Sequence, residues 1–285
     1  MKILIIGASG LIGEQLYSNA KKSNHEVDGT YLKNKRNGLY KLDITQGGEV
    51  KELLNRIKPD VIIHTAALTN VDYCESNKKE TWLMNVEGMI NVVKAIKSAK
   101  LVYISTDYVF DGLNGPYSEE DIPYPINFYG LTKLLGETIT SSYKNHLIIR
   151  STWIYDFSSD TRNFVYRLVK TLKDKKELKV PTDQIANPTM ARDLASSIMK
   201  LIDKDVNGII NISGSSRMSR YDFAVRIAEH LSLEKELIKG MSSKELNQKA
   251  RRPKNAGFKL TKAEKILGEK TPSLKESLEK YRRSL

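Results

Sequence analysis

Apolar residues recur in two different periods along the first half of the chain. Short runs rich in β-branched residues, Lys2–Ile6, Glu26–Tyr31, Asp60–Thr65, Leu101–Ser105 and His146–Arg150, have the length and composition of buried strands. Between them, apolar positions three and four apart predict helices over Leu11–Lys22, Val50–Ile57, Thr81–Ser98 and Phe128–Ser142. A further short strand is expected around Leu39–Leu42, and Pro59 ends one helix just before the strand at Asp60. The stretch from Asp111 to Asn127 is polar, carries Gly and Pro, and reads as a loop. Strand, helix, strand in repetition implies a doubly wound parallel α/β sheet with right-handed crossovers.

After Arg150 the alternation loosens. Helices are expected around Asn163–Lys173, Ala191–Ile202, Tyr221–Leu231 and Leu274–Arg283, with only short strands such as Ile209–Ile212. The pattern predicts a main domain over residues 1–150 and a smaller lobe over 151–285 that covers a substrate. At least one segment of that second half is expected to rejoin the main sheet. No internal repeat and no low-complexity linker interrupts the chain.

The first strand closes on Gly7-Ala8-Ser9-Gly10-Leu11-Ile12-Gly13. Glycines at Gly7, Gly10 and Gly13 permit a tight turn, a close approach to a pyrophosphate, and packing of helix on strand. The helix that follows offers free N–H groups and the positive end of its dipole to the phosphates. Position gives the pattern its weight, since it leaves a strand and opens a helix as a Rossmann-like dinucleotide site requires. Cofactor choice is read at the end of the second strand, where Tyr31-Leu32-Lys33-Asn34-Lys35-Arg36 contains no carboxylate for a ribose 2′-hydroxyl. Lys33, Lys35 and Arg36 can meet a 2′-phosphate, which favours NADPH over NADH without excluding NADH. Asp43-Ile44 suits a later contact with the adenine edge.

A second signal lies about a hundred residues on. Tyr129 and Lys133 are four residues apart, so on a helix they share a face. A phenol ordinarily ionises near pH ~10, and a neighbouring ammonium is expected to lower that value. Lys133 can also bond the nicotinamide ribose. Thr106, at the carboxyl end of a strand, can share a substrate oxygen with Tyr129. These three residues together predict proton delivery to a carbonyl beside a reduced nicotinamide.

The residues from end to end resemble the extended short-chain dehydrogenase/reductases, and more narrowly the dTDP-4-dehydrorhamnose reductase family. The resemblance is carried by Gly7–Gly13, His64-Thr65-Ala66-Ala67, Asn85-Val86 and Ser105-Thr106-Asp107-Tyr108-Val109-Phe110-Asp111-Gly112. It continues through Tyr129-Gly130-Leu131-Thr132-Lys133, Arg150-Ser151-Thr152-Trp153, Asn163-Phe164-Val165 and Arg252-Pro253-Lys254-Asn255. The block from Ser105 to Gly112 separates this branch from related epimerases and dehydratases. The resemblance implies Thr106, Tyr129 and Lys133 as the catalytic triad, and Gly7, Gly10, Leu11, Ile12, Gly13, Asp43, Ile44, Ala66, Ala67, Asn85 and Lys133 around the cofactor. It implies Asp107, Tyr108, Trp153, Asn163 and Arg252 on the sugar and nucleotide side. The reaction it implies is hydride transfer from NADPH to the C4 ketone of dTDP-4-dehydro-L-rhamnose.

A homodimer is compatible with the family. Its magnesium-bridged contact is not carried over, because Glu14-Gln15 and Ala191-Arg192-Asp193 lack the paired acids, so no metal is expected. Three other readings stay open: a different nucleotide-sugar 4-ketoreductase, an epimerase, or an NADP-binding regulatory subunit of methionine adenosyltransferase.

Charge and composition change this picture little. The net charge of +12 on 285 residues invites a nucleic-acid partner. However, the basic residues form no aromatic-interleaved stripe, and a positive field equally suits an anionic nucleotide sugar. No apolar run approaches the ~18 residues of a membrane helix. One cysteine, Cys74, and four dispersed histidines give neither a disulfide nor metal-ligand spacing, and the cytoplasm is the expected location. Trp153 suits either stacking on a sugar or filling the core beneath it, and His64 suits a satisfied core histidine.

Overall fold

The computed structural model describes residues 1–157 and 163–283. Seven parallel strands form its central sheet. In chain order the first six are β1 (Lys2–Ile6), β2 (Glu26–Tyr31), β3 (Tyr40–Lys41), β4 (Val61–His64), β5 (Lys100–Thr106) and β6 (His146–Ser151). The seventh is Gly208–Asn211, from the second half of the chain, paired in parallel with β6. Across the sheet the order is Gly208–Asn211, β6, β5, β4, β1, β2, β3. The order reverses between β1 and β4, and the crevice beyond their carboxyl ends is where such sheets bind ligands.

Both faces of the sheet are covered, and the two-residue period of the strands decides which side chain goes where. Ile3 and Ile5 of β1 join Val102, Ile104, Leu147 and Ile149 on one face, under α1 (Leu11–Lys22) and the helix Ala191–Asp203. Leu4 and Ile6 join Ile62, Leu101, Tyr103 and Ile148 on the other, against α2 (Gly47–Ile57) and the helix Gly88–Ala95. Leu16 of α1 is fully buried, so Leu16→Ala is expected to cost about 2–5 kcal/mol. The second-half helix Ala191–Asp203 is thus part of the main sheet's own core.

The remaining lobe has a separate core. Tyr155, Leu168, Leu172, Phe223, Ile227 and Leu278 bring together the helices Phe164–Lys173, Arg220–His230 and Leu274–Arg283. Its strands are short and paired two by two, for example Leu178–Pro181 with Ile238–Met241.

The continuous helix expected over Thr81–Ser98 is broken into three parts. A helix at Lys78–Trp82 passes into a π turn at Leu83–Glu87 and then into Gly88–Ala95. The π turn carries Asn85, whose buried amide accepts from the Leu68 N–H at 2.8 Å and donates to the Leu68 carbonyl at 3.0 Å and to the Thr132 hydroxyl at 3.1 Å. An inserted residue in a helix re-aims a side chain, and here the gain is three hydrogen bonds inside the protein. Periodicity alone could not foresee this, because the partners are distant in sequence.

Candidate active site

The pocket at the switch point is built first by backbone. Gly7 has φ +90°, and a Cβ there would lie 2.7 Å from the Thr65 hydroxyl oxygen and 2.9 Å from the Ala66 nitrogen. A Cβ on Gly13 would lie 2.2 Å from the Gly7 carbonyl oxygen, so only glycine lets α1 sit this close to β1. Gly10 caps α1 without a side-chain bond, which leaves the first-turn N–H groups facing the crevice for an anion. This cradle fits a dinucleotide pyrophosphate on its geometry alone. Ala66 and Ala67 follow β4 across the crevice, in the loop that Asn85 fixes through Leu68. Asn85 therefore acts on the loop, with its own polar atoms used inside the protein.

At the end of β2, Lys33 and Lys35 are exposed. Arg36 forms a two-pronged pair with Glu14 of α1, Nη1 to Oε1 at 2.5 Å and Nη2 to Oε2 at 2.9 Å. An exposed pair of this kind contributes about 0–1 kcal/mol, so a phosphate can draw the guanidinium away at little cost. Asp43 binds the Thr45 N–H and hydroxyl at 3.0 and 2.8 Å, which stiffens the turn beside buried Ile44.

The other end of the crevice is built from side chains. Asn127 caps the helix Phe128–Ser141 by accepting from the Gly130 N–H, and this helix presents Tyr129 and Lys133, both buried, towards β5. The Tyr129 phenol lies beside the Thr106 hydroxyl, near enough for Thr106 to favour its ionised form. The Tyr108 ring meets Tyr129 edge-on at 5.7 Å. Lys133 Nζ donates to the Ile104 carbonyl at 2.7 Å and lies 4.0 Å from the centre of the Tyr103 ring. Thr106, Tyr129 and Lys133 thus come together from a strand end and one helix face.

Their protonation differs from the expectation that Lys133 would lower the Tyr129 phenol. Burial pushes Tyr129 above its ordinary value, and the Thr106 contact only partly offsets this. Burial also brings the Lys133 ammonium down to about 7, against a smaller upward pull from Glu137. His64 stacks on Tyr103 at 5.9 Å and is held neutral, lowered to about 3 by burial and then by Lys133, which fits a core histidine. Cys74 is a buried free thiol raised by burial.

The residues expected on the sugar side divide. Asp107 is buried and is used within the protein: it accepts from the Thr152 hydroxyl at 2.8 Å and the Thr106 hydroxyl at 3.1 Å, and burial raises it to about 6. Through the second of these bonds it orients Thr106. Asn163 is also used by the fold, capping the helix Phe164–Lys173 through the Val165 N–H at 3.1 Å and donating to the Asp156 carbonyl. Arg252 reaches across from the second lobe to Asp72, Nη1 to Oδ1 at 2.6 Å and Nη2 to Oδ2 at 2.8 Å, and lies beside the Tyr108 phenol, on which its charge acts. Trp153 is half-buried at the crevice with φ +41°, an uncommon backbone for tryptophan. The Arg220 guanidinium lies over it at 3.7 Å.

Arg220, Thr152 and Glu137 belong to this neighbourhood without having been singled out in the sequence. Arg220 follows the N-cap Ser219 of its helix, a local signal that speaks of helix start and not of a site. No group of three or more His, Cys, Asp or Glu suited to a metal occurs among the described residues. Among them, too, no helix is long and apolar enough to cross a membrane.

The chain is similar to known proteins along its whole length. The family model described as RmlD substrate binding domain matches residues 1–285. The spore coat polysaccharide biosynthesis protein SpsK of Bacillus subtilis is 34% identical over 258 residues, covering 88% of this chain and 87% of its own. Methionine adenosyltransferase 2 subunit beta of Rattus norvegicus is 32% identical over 294 residues, covering 97% of this chain and 87% of its own. A crystal structure of dTDP-4-dehydrorhamnose reductase from Bacillus anthracis in complex with NADP superposes with TM-score 0.90 at 31% identity, covering 100% of this chain and 99% of that one. With its whole length matched and its parallel sheet shared, the chain belongs to the RmlD substrate binding domain family, an oxidoreductase of the extended short-chain dehydrogenase/reductase type.

Proposed function

We propose that this protein is an NADPH-dependent nucleotide-sugar 4-ketoreductase that converts dTDP-4-dehydro-L-rhamnose to dTDP-L-rhamnose, with NADH as a poorer donor. The observation that carries the reading is the meeting of Thr106, Tyr129 and Lys133 at one end of a crevice whose other end is the Gly7–Gly13 anion cradle. Likeness to the Bacillus anthracis reductase supports the substrate, and its complex with NADP supports the cofactor.

Bound in the cradle, the reduced nicotinamide supplies the hydride for the C4 carbon. Tyr129 gives its proton to the oxygen of the forming alcohol, and its raised proton affinity keeps it loaded at neutral pH. Thr106, fixed by Asp107, holds the same oxygen. Lys133 stands one helical turn from Tyr129 on the same face and holds the nicotinamide ribose. Arg252 ties the second lobe to Asp72 and Tyr108 and so steadies the wall on which the sugar rests. Trp153, backed by Arg220, offers that sugar a flat face. The cytoplasm is the proposed setting.

The test is loss of reduced-nicotinamide absorbance with dTDP-4-dehydro-L-rhamnose. Tyr129→Phe is expected to lower kcat by about 10²–10⁴-fold while NADPH still binds. Wild-type protein that binds NADPH and leaves this sugar and related keto sugars unreduced would sink the reading. A second reading rests on the likeness to the methionine adenosyltransferase subunit. It predicts co-purification with a methionine adenosyltransferase and no turnover.

A further inference from the structure

The buried charges around Lys133 do not end at the triad. The helix Phe128–Ser141 carries Tyr129, Lys133 and Glu137 at four-residue steps, and all three side chains are buried on one face. Glu137 is 3% exposed and is held from two strands at once. Its Oε1 accepts from the Ser105 hydroxyl at 2.5 Å and from Arg150 Nε at 2.9 Å, and its Oε2 accepts from Arg150 Nη2 at 2.7 Å. Ser105 is the neighbour of Thr106 on β5, and Arg150 lies opposite Ser105 on β6. A buried ion pair contributes little net stability compared with apolar packing of the same volume. Its position one turn behind Lys133 calls for another explanation.

We propose, on the reading that Tyr129 and Lys133 deliver the proton, that Glu137 is a positioning residue whose locked carboxylate holds Lys133 nearer its charged form than burial alone would leave it. The groups facing Lys133 make Glu137 the element suited to this. From β4 comes His64, which is neutral, and from β5 the Tyr103 phenol, which burial keeps protonated. From its own helix come Tyr129 and Glu137. Arg150 of β6 stands behind Glu137, while Asp107 and Cys74 act on Tyr129. Glu137 is the carboxylate whose charge reaches Lys133, and it opposes the burial that drives the ammonium towards its neutral form. Ser105 and Arg150 use three of its lone-pair directions, so the carboxylate cannot turn away. The Lys133 proton is then free to be satisfied by the Ile104 carbonyl and, in the working enzyme, by the ribose.

The proton on Lys133 can be followed directly. The full-length protein is labelled with ¹³C-lysine, and the Lys133 Cε resonance is assigned by its loss in Lys133→Met. It is then titrated with pH beside a kcat/KM profile for the proposed reaction. In Glu137→Gln the Lys133 midpoint is expected to fall by about one pH unit or more, and the alkaline limb of kcat/KM to fall with it. If Glu137→Gln does not fold because Arg150 is left unpaired, Glu137→Gln with Arg150→Met removes both charges and is expected to show a smaller downward move, since loss of the Arg150 cation offsets part of the loss of the nearer carboxylate. A midpoint that stays put in the folded variant, with activity reduced equally at every pH, overturns the proposal and leaves Glu137 a structural residue. The resonance needs no turnover. An inactive wild type with a moved midpoint therefore sinks the reductase reading alone, and an active one with an unmoved midpoint sinks this inference alone.

Discussion

The two ends of the crevice are made of different materials. The phosphate end consists of backbone: Gly7, Gly10, Gly13 and the first turn of α1, with few side chains involved. The proton-delivery end consists of buried side chains, Thr106, Tyr129, Lys133 and Glu137, and the protonation of Tyr129 and Lys133 answers to their surroundings. A backbone cradle is fixed by shape and is nearly indifferent to pH. A cluster of buried ionisable groups is tuned by desolvation, so its state depends on how tightly it is enclosed.

The sharpest way to break this contrast is through Lys133. Its folded-state value near 7 lies below the ordinary 10.5, so between these values the unfolded chain holds a proton that the folded chain has lost. Stability is then expected to rise with pH from about 7 towards about 10.5, by an amount on the order of a few kcal/mol. Urea unfolding at a series of pH values checks this. Lys133→Met should flatten the rise, and an unchanged slope would show that Lys133 titrates as a solvated lysine. The next effect is steric. Gly13→Val places a side chain against the Gly7 carbonyl, with an expected stability loss of about 1–3 kcal/mol and a loss of NADPH binding that no pH restores. NADPH fluorescence titration at two pH values separates this variant from the proton-delivery variants. The smallest effect belongs to the exposed rim. Lys33→Glu should move the ratio of NADPH to NADH binding several-fold, an effect worth about 0–1 kcal/mol that added salt weakens. Equal loss for both cofactors would place Lys33 away from the 2′-phosphate.

The same contrast explains what could be read from the chain. The strands, α1 and the glycine turn were legible because each is a local pattern: period two, period three to four, and a turn between them. Tyr129 and Lys133 were legible because four residues on a helix is a distance fixed by geometry. The bond from Thr152 to Asp107 was not legible, because the one-residue separation of Asp107 from Thr106 says nothing about a partner on the next strand end. The bond from the Asn163 amide to the Asp156 carbonyl was likewise not legible, although its cap on the Val165 N–H is a local one. The π turn at Leu83–Glu87 has no local signature, and it exists because Asn85 finds partners at Leu68 and Thr132.

By itself the sequence determined the doubly wound order, the anion cradle and the shared face of Tyr129 and Lys133, because these follow from short-range backbone rules. Only the tertiary structure decided the protonation of Lys133 and Tyr129, the partnership of Glu137 with Arg150 and Ser105, and the tie from Arg252 to Asp72. These depend on burial and on contacts between residues far apart in the chain, and the cost of burying a charge is set by what surrounds it.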